Sequence, residues 1–226
     1  MSSTNRARRL QVLRHAAGSQ ETPLTVYKIG GSLFDIPELP DVIREVLAQR
    51  PGRAALLVPG GGTAVDVVRV WDRIHHLGDE PAHELALEAM DLTASFLAGF
   101  FPEARLVRSE SQVRMAVSEG ALSILCAGCF LKAAEAQGHP PLEPSWRVTS
   151  DSIAAWTADL LGAAELVLVK STPAPAGMSL AGAAAAGLVD ELFPSVAANL
   201  PLIGWVNGRA GESAIEIWQT PETKGL

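Results

Sequence analysis

Lysine is scarce in this chain: Lys28, Lys132, Lys170 and Lys224 are the full set, and the other positive charges are arginines. Lys+Arg number 18 against 25 Asp+Glu, a net charge of −7. A net acidic chain lacks the basic footprint that grips nucleic acid, so no nucleic-acid partner is expected. Clustered backbone N–H groups and one or two lysines can still hold a small anion. Cysteine is equally thin, with Cys126 and Cys129 in Cys-Ala-Gly-Cys. A secreted disulfide scaffold would carry more, and zinc would need two further ligands at matching spacing. That leaves a thioredoxin-like redox pair or two small residues packing at a strand end. The reduced cytoplasm is the expected compartment. No uninterrupted apolar run reaches the roughly 18 residues a membrane span needs, so no membrane partner is expected.

The start of the chain also lacks the apolar core of a signal peptide. It carries Arg6, Arg8, Arg9 and Arg14 instead. We read residues 1–22 as an Arg-rich leader, disordered or frayed, and 23–226 as a single domain. The length of 226 residues fits that division, and 48 % hydrophobic against 19 % charged residues excludes disorder along most of it.

Beyond the leader, short apolar runs alternate with longer mixed ones. Leu24 to Ile29 reads as a strand ending at Gly30-Gly31, and Ala54 to Val58 as a buried strand ending at Pro59 and three glycines. Leu39 to Arg50 carries a helical stripe of Val42, Ile43, Val46 and Leu47. Thr63 to Ile74, Asp79 to about Phe100, and Ser150 to Leu161 (stopped by Gly162) read as further helices. Leu122 to Cys126 and Leu166 to Val169 read as strands, with Leu202 to Val206 and Ala214 to Trp218 as a closing pair. Ser171 to Gly187 is the most loop-like internal stretch. Strands alternating with helices predict an α/β fold with a largely parallel sheet. Ligands of such sheets sit beyond the carboxyl ends of the strands.

Three strand ends carry chemistry: Lys28-Ile-Gly-Gly-Ser32, Pro59-Gly-Gly-Gly-Thr63 and Val169-Lys-Ser-Thr172. Glycine lets backbone N–H groups approach a phosphate, and a following helix adds its positive end. The lysines add point charges to the same edge. Phosphoryl transfer needs positioning and positive charge more than covalent help. The P-loop is excluded because Lys28 precedes Gly30 instead of following the glycines, and the Rossmann fingerprint fails from Gly60 because Val65 holds its last position.

Those turns, in order with Ser150-Asp-Ser-Ile-Ala-Ala155, resemble the amino acid kinase family. The resemblance covers roughly Thr25 to the end. It implies a three-layer α/β/α sandwich around a mostly parallel central sheet, and transfer of phosphoryl from ATP, with Mg2+ riding on the nucleotide, to a small-molecule acceptor. It also implies a homo-oligomer. Position by position, Lys28 would bridge the nucleotide phosphates, and Gly30, Gly31 and Ser32 would hold them, with Ser171 and Thr172 beside the nucleotide. Gly60, Gly61, Gly62, Thr63, Asp66 and Ser150 would face the transferring group and the acceptor. Asp151 would orient the lysines. Many members take a second lysine from a Gly-Met-x-x-Lys stretch, but Gly177-Met178 is followed by no lysine, so Lys170 stands in as its substitute. The Thr-Asp-x-x-Gly-Val nucleotide lid is replaced by Ser171-Thr-Pro-Ala-Pro-Ala-Gly177.

Val65-Asp-Val-Val-Arg69, Ala82-His83, Ala89-Met-Asp91 and Ser145 to Asp151 resemble a smaller branch of that family. This branch includes an archaeal kinase of an aminomethylfuran-methyl phosphate in methanofuran assembly. The implied acceptor is therefore a phosphate monoester in one-carbon cofactor biosynthesis. Two other readings stay open: an oxyanion (molybdate or tungstate) storage protein, and a catalytically reduced regulatory paralogue. Asp72, His75, His76, Asp79 and His83 read as a metal site, a polar interhelix loop, or partly an acceptor pocket. Trp146 reads as core packing or as a platform for an acceptor ring.

Overall fold

Period-2 alternation in the strands decides which side chains meet. The computed structural model describes residues 22–211 and 213–219, so the Arg-rich leader lies, but for residue 22, outside the described residues. Strand β1 (Leu24–Ile29) sends Leu24 and Val26 to one buried cluster and Tyr27 and Ile29 to another. Lys28 shares the face of Val26. Strand β5 (Glu165–Lys170) repeats the pattern, with Leu166 and Leu168 on the first face and Val167 and Val169 on the second. Lys170 shares the first face.

These strands lie at the centre of a seven-stranded sheet of order β3-β4-β2-β1-β5-β6-β7. The others are β2 (Ala54–Pro59), β3 (Arg105–Val107), β4 (Ser123–Leu125), β6 (Ile203–Asn207) and β7 (Glu216–Gln219). Every pairing is parallel except β6 with β7, which is antiparallel. The parallel strands therefore end at one edge, and β1, β2 and β5 bring all three predicted turns there.

The helices are α1 (Leu39–Ala48), α2 (Gly62–His75), α3 (Asp79–Ala98), α4 (Glu110–Ser118), α5 (Ala127–Ala136), α6 (Ser150–Leu161), α7 (Leu180–Ala185) and α8 (Phe193–Val196). Helix α6 packs on the first face, touching β1, β2 and β5. Its Ala154, Ala155 and Ala158 are fully buried, and their small size lets the helix axis come close to the sheet. Gly162 ends the helix where the sequence predicted its stop, and does so in a left-handed cap at φ 66. Helix α1 covers the second face with Leu39, Val42, Ile43 and Val46.

Helices on both faces of the sheet give the predicted three-layer α/β/α sandwich. The structure adds β3, α4 and α5, which the sequence pattern did not single out. It also corrects the loop expected over Ser171 to Gly187, where Ser179 accepts a hydrogen bond from the Gly182 N–H and starts α7. A one-and-a-half-turn alanine helix carries no apolar period for pattern reading to detect. Cys126 is buried at the start of α5, whereas Cys129 is exposed. Burial first, and the charge of Asp91 with it, pushes both thiols up, away from the low value that a redox pair requires.

Candidate active site

Asp151 sits in the first turn of α6, with its side chain only 5 % exposed, and it meets both lysines of the sheet edge. Lys28 Nζ lies 2.8 Å from Oδ1, and Lys170 Nζ donates to Oδ2 at 2.7 Å. Register explains the convergence. Lys28 pairs with Leu168 across β1 and β5, so Lys170 is its diagonal neighbour on the same face. Burial raises the Asp151 carboxyl, but the two ammonium groups overcome it and hold the group below its ordinary value. Burial pushes Lys170 down to about 8, as does the charge of Lys28, against the pull of Asp151.

The glycine turns close on one another across this triad. A Cβ on Gly31 would stand 2.5 Å from the Gly62 nitrogen, so neither turn could approach the other with a side chain there. A Cβ on Gly60 would lie 2.9 Å from the Gly31 nitrogen and 3.0 Å from Ser150 Oγ, which shows how tightly these residues gather. Gly30 extends the ladder through its N–H to Val169 O (2.8 Å). Ser32 Oγ donates to Ser171 Oγ at 2.9 Å, joining two predicted nucleotide residues.

A cavity of about 760 Å³ opens over this edge. Lys28, Asp151, Lys170, Gly31, Ser32 and Ser150 line it. Gly61, Gly62 and Thr63, at the start of α2, also line it, together with Asp66, Arg69, His83 and Trp146. Gly30, Gly60, Ser171 and Thr172 stand beside the lining rather than in it. Thr172 contributes a backbone carbonyl that accepts from Trp205 Nε1 at 2.8 Å.

Around Trp146 the side chains interlock. Its Nε1 donates to Asp72 Oδ2 at 2.8 Å, and the Arg69 guanidinium lies 5.2 Å from its ring centroid. Arg69 also donates to Asp66 Oδ1 at 2.7 Å. Burial holds His83 below its ordinary value despite Glu84, so its imidazole is neutral at pH 7. Asp72 further accepts from the Gly78 N–H at 3.2 Å, shaping the turn between α2 and α3. No group of three or more His, Cys, Asp or Glu among the described residues is placed to hold a metal ion.

Sequence reasoning missed two residues here. Asp190 accepts hydrogen bonds at the start of α6, from Thr149 N (3.0 Å), Thr149 Oγ1 (2.9 Å) and Ser152 N (2.9 Å). Arg209, beyond β6, donates to Ser32 O at 2.8 Å and to Asp35 Oδ1 at 2.6 Å. The one sequence signal for either was the Asn207-Gly-Arg turn; an isolated aspartate after Leu188-Val189 has none.

Fold and site together define a small-molecule phosphotransferase. The family model described as "Amino acid kinase family" matches residues 23–174. The chain belongs to the amino acid kinase family. It is 26 % identical over 206 residues to the [5-(aminomethyl)furan-3-yl]methyl phosphate kinase of Methanocaldococcus jannaschii, covering 85 % of this chain and 91 % of that protein. Its fold resembles UMP kinase from Ureaplasma parvum (TM-score 0.63, 12 % identity, 85 % of this chain and 92 % of that one). It also resembles UMP kinase from Bacillus anthracis (TM-score 0.59, 13 % identity, 85 % and 90 %). No helix among the described residues is long and apolar enough to cross a membrane.

Proposed function

We propose that this protein transfers the γ-phosphoryl group of Mg-ATP to a phosphate monoester of the aminomethylfuran type, giving ADP and the corresponding diphosphate. The observation that carries this reading is one cavity joining the Lys28–Asp151–Lys170 triad to the Asp66, Arg69, His83 and Trp146 group. The relative acting on an aminomethylfuran-methyl phosphate supports the acceptor class.

The residues fit an ATP phosphate chain. The two glycine turns meet with no room for a Cβ between them, so their backbone N–H groups stand close to the two lysines. Lys28, Lys170 and Ser32 would hold the phosphates, and the starts of α2 and α6 add their positive ends. Both Asp151 oxygens face lysines, so magnesium would be held through the nucleotide; when bound, it neutralises charge on the β- and γ-phosphates.

An oxygen of the acceptor phosphate forms a bond to Pγ while the bond from Pγ to the β-bridging oxygen breaks. Its electron pair leaves with ADP. A phosphate monoester already carries between one and two negative charges at pH 7, because its second pKa is about 6, so the nucleophile needs no general base. Asp151 accordingly has an orienting task, holding two ammonium groups around the charge that shifts during transfer. ADP formation from Mg-ATP with aminomethylfuran-methyl phosphate is the deciding assay. Turnover is expected to fall about 10³-fold in Lys28→Ala. Full turnover in that variant, or no ADP with this acceptor, would sink the reading.

A further inference from the structure

We propose that Asp190 is the positioning residue that sets Asp151 between the two lysines. This rests on the phosphotransferase reading for its consequence in turnover, though not for its geometry.

Asp190 stands in the segment between α7 and α8, and its carboxylate is wholly engaged. Oδ2 accepts from Thr149 N, Thr149 Oγ1 and Ser152 N. Oδ1 accepts from Phe193 N at 3.0 Å and from Ser152 Oγ. The N-terminus of a helix leaves backbone donors without intrahelical partners, and here a carboxylate far away in sequence takes two of them. Thr149 and Ser152 flank Asp151 on both sides. Their anchors hold the first turn of α6 while the Asp151 side chain points the other way, at Lys28 and Lys170. One carboxylate also starts α8 through Phe193 N, so it ties two helices to one point.

The path of the chain adds a second constraint. Lys170 ends β5 on Asp151 Oδ2, and Asp190 returns to the same turn twenty residues later. The stretch from Lys170 to Asp190 is thus fastened at both ends to the first turn of α6. Any displacement of that turn changes the two lysine contacts of 2.8 and 2.7 Å together. A misplacement of about 1 Å is enough to cost about 10²-fold in rate.

The titration of Lys170 tests this and requires no substrate. The charged groups facing Lys170 are Lys28 on β1 and Asp151 on α6, and the Trp205 indole on β6 lies 5.7 Å from its Nζ. Asp151 raises its pKa and Lys28 lowers it. Acetylation of Lys170 by acetic anhydride, read by mass spectrometry across pH, is expected to show a midpoint near the value of about 8 in the native protein. In Asp190→Ala, or Asp190→Asn if the alanine variant does not fold, Asp151 loosens from Lys170. The midpoint then falls below its native position, because the Asp151 charge that raises it is withdrawn. ADP formation is expected to fall about 10–100-fold alongside it. Glu165→Gln, a buried change at the opposite edge of the sheet, is expected to leave the midpoint in place. An unmoved midpoint in the Asp190 variants overturns the proposal, whatever happens to melting temperature or turnover. A midpoint that moves equally in Glu165→Gln overturns it too, because general loosening would then explain the change. Absence of ADP formation by the native protein would instead reject the kinase reading and leave the midpoint to decide the role of Asp190.

Discussion

Lys28 and Lys170 stand on adjacent parallel strands, two residues apart in register and on one face of the sheet, and each reaches its own oxygen of the Asp151 carboxylate. Two cations brought together in a buried site repel one another and lose hydration, and the shared anion is what makes their meeting stable.

That arrangement sets a pH limit on turnover. Lys170 is pushed down to about 8 by burial and by Lys28. Its charge is present below that value and lost as pH rises through it, so kcat/KM for ATP, which reports the free enzyme, is expected to decline through about pH 8. Lys170→Arg keeps a cation at all working pH and carries the plateau further into the alkaline range at reduced height. Lys170→Ala is expected to be about 10²-fold slower with no alkaline limb. A native pH–rate profile flat to about pH 9.5 contradicts this assignment.

Asp151 contributes to folding in the opposite pH range. Its carboxyl is held below the ordinary 3.8, burial being outweighed by the two lysines. Ionisation therefore stabilises the fold fully above about 3.8, and that contribution disappears as pH falls through the lower folded value. Asp151→Asn is expected to lose about 3 kcal/mol at pH 7, because two buried cations are left facing a neutral amide. Denaturant titrations at pH 7 and pH 3 measure the gap between variant and native protein, which should shrink at the lower pH. An equal gap at both values argues against the ion pairs as its source.

Glu165 tests structure without chemistry. Its side chain is 0 % exposed, Arg50 binds both its oxygens at 2.7 Å, and Arg53 Nη1 binds at 2.9 Å. The chain has a single tyrosine, Tyr27, whose phenol is raised to about 12 by burial and by the charge of Glu165. Absorbance near 295 nm should therefore show no tyrosinate until well above the ordinary value of 10. In Glu165→Gln the onset should move to lower pH, with kcat at pH 7 unchanged and stability lowered. A lost kcat in that variant would tie this edge of the sheet to the chemistry.

Trp146 and Arg69 should act on the acceptor and not on ATP. Replacing Trp146 with alanine removes the ring under Arg69 and the bond to Asp72. The acceptor KM is expected to rise about tenfold, a loss of about 1.4 kcal/mol of binding, while the ATP KM stays within about twofold. An increase confined to the ATP KM would place the nucleotide at this end of the cavity instead.

Much of the site is legible in the sequence. Lys28, Gly31, Gly62 and Lys170 can be named from strand ends, because a parallel sheet delivers those positions to one edge, and Asp151 joins them through the resemblance to the amino acid kinase family. The resemblance suggests Lys170 as the substitute for the family's Gly-Met-x-x-Lys lysine, and its Nζ lies on Asp151 Oδ2. The candidate metal group is legible as residues but not as geometry, since Asp72 turns to Trp146 and Gly78 instead.

Local sequence suffices for the alternation of elements, the glycine turns and the charges of the strand ends, because those depend on neighbours one to four residues apart. Long-range packing settles the rest: that Gly31 meets Gly62, that one carboxylate serves two lysines, and that Asp190 holds the helix start from across the fold. Those contacts join residues tens of positions apart. They exist because packing of α6 on the sheet brings buried charges and donors within reach of partners distant in sequence, and no local pattern specifies which partners those are.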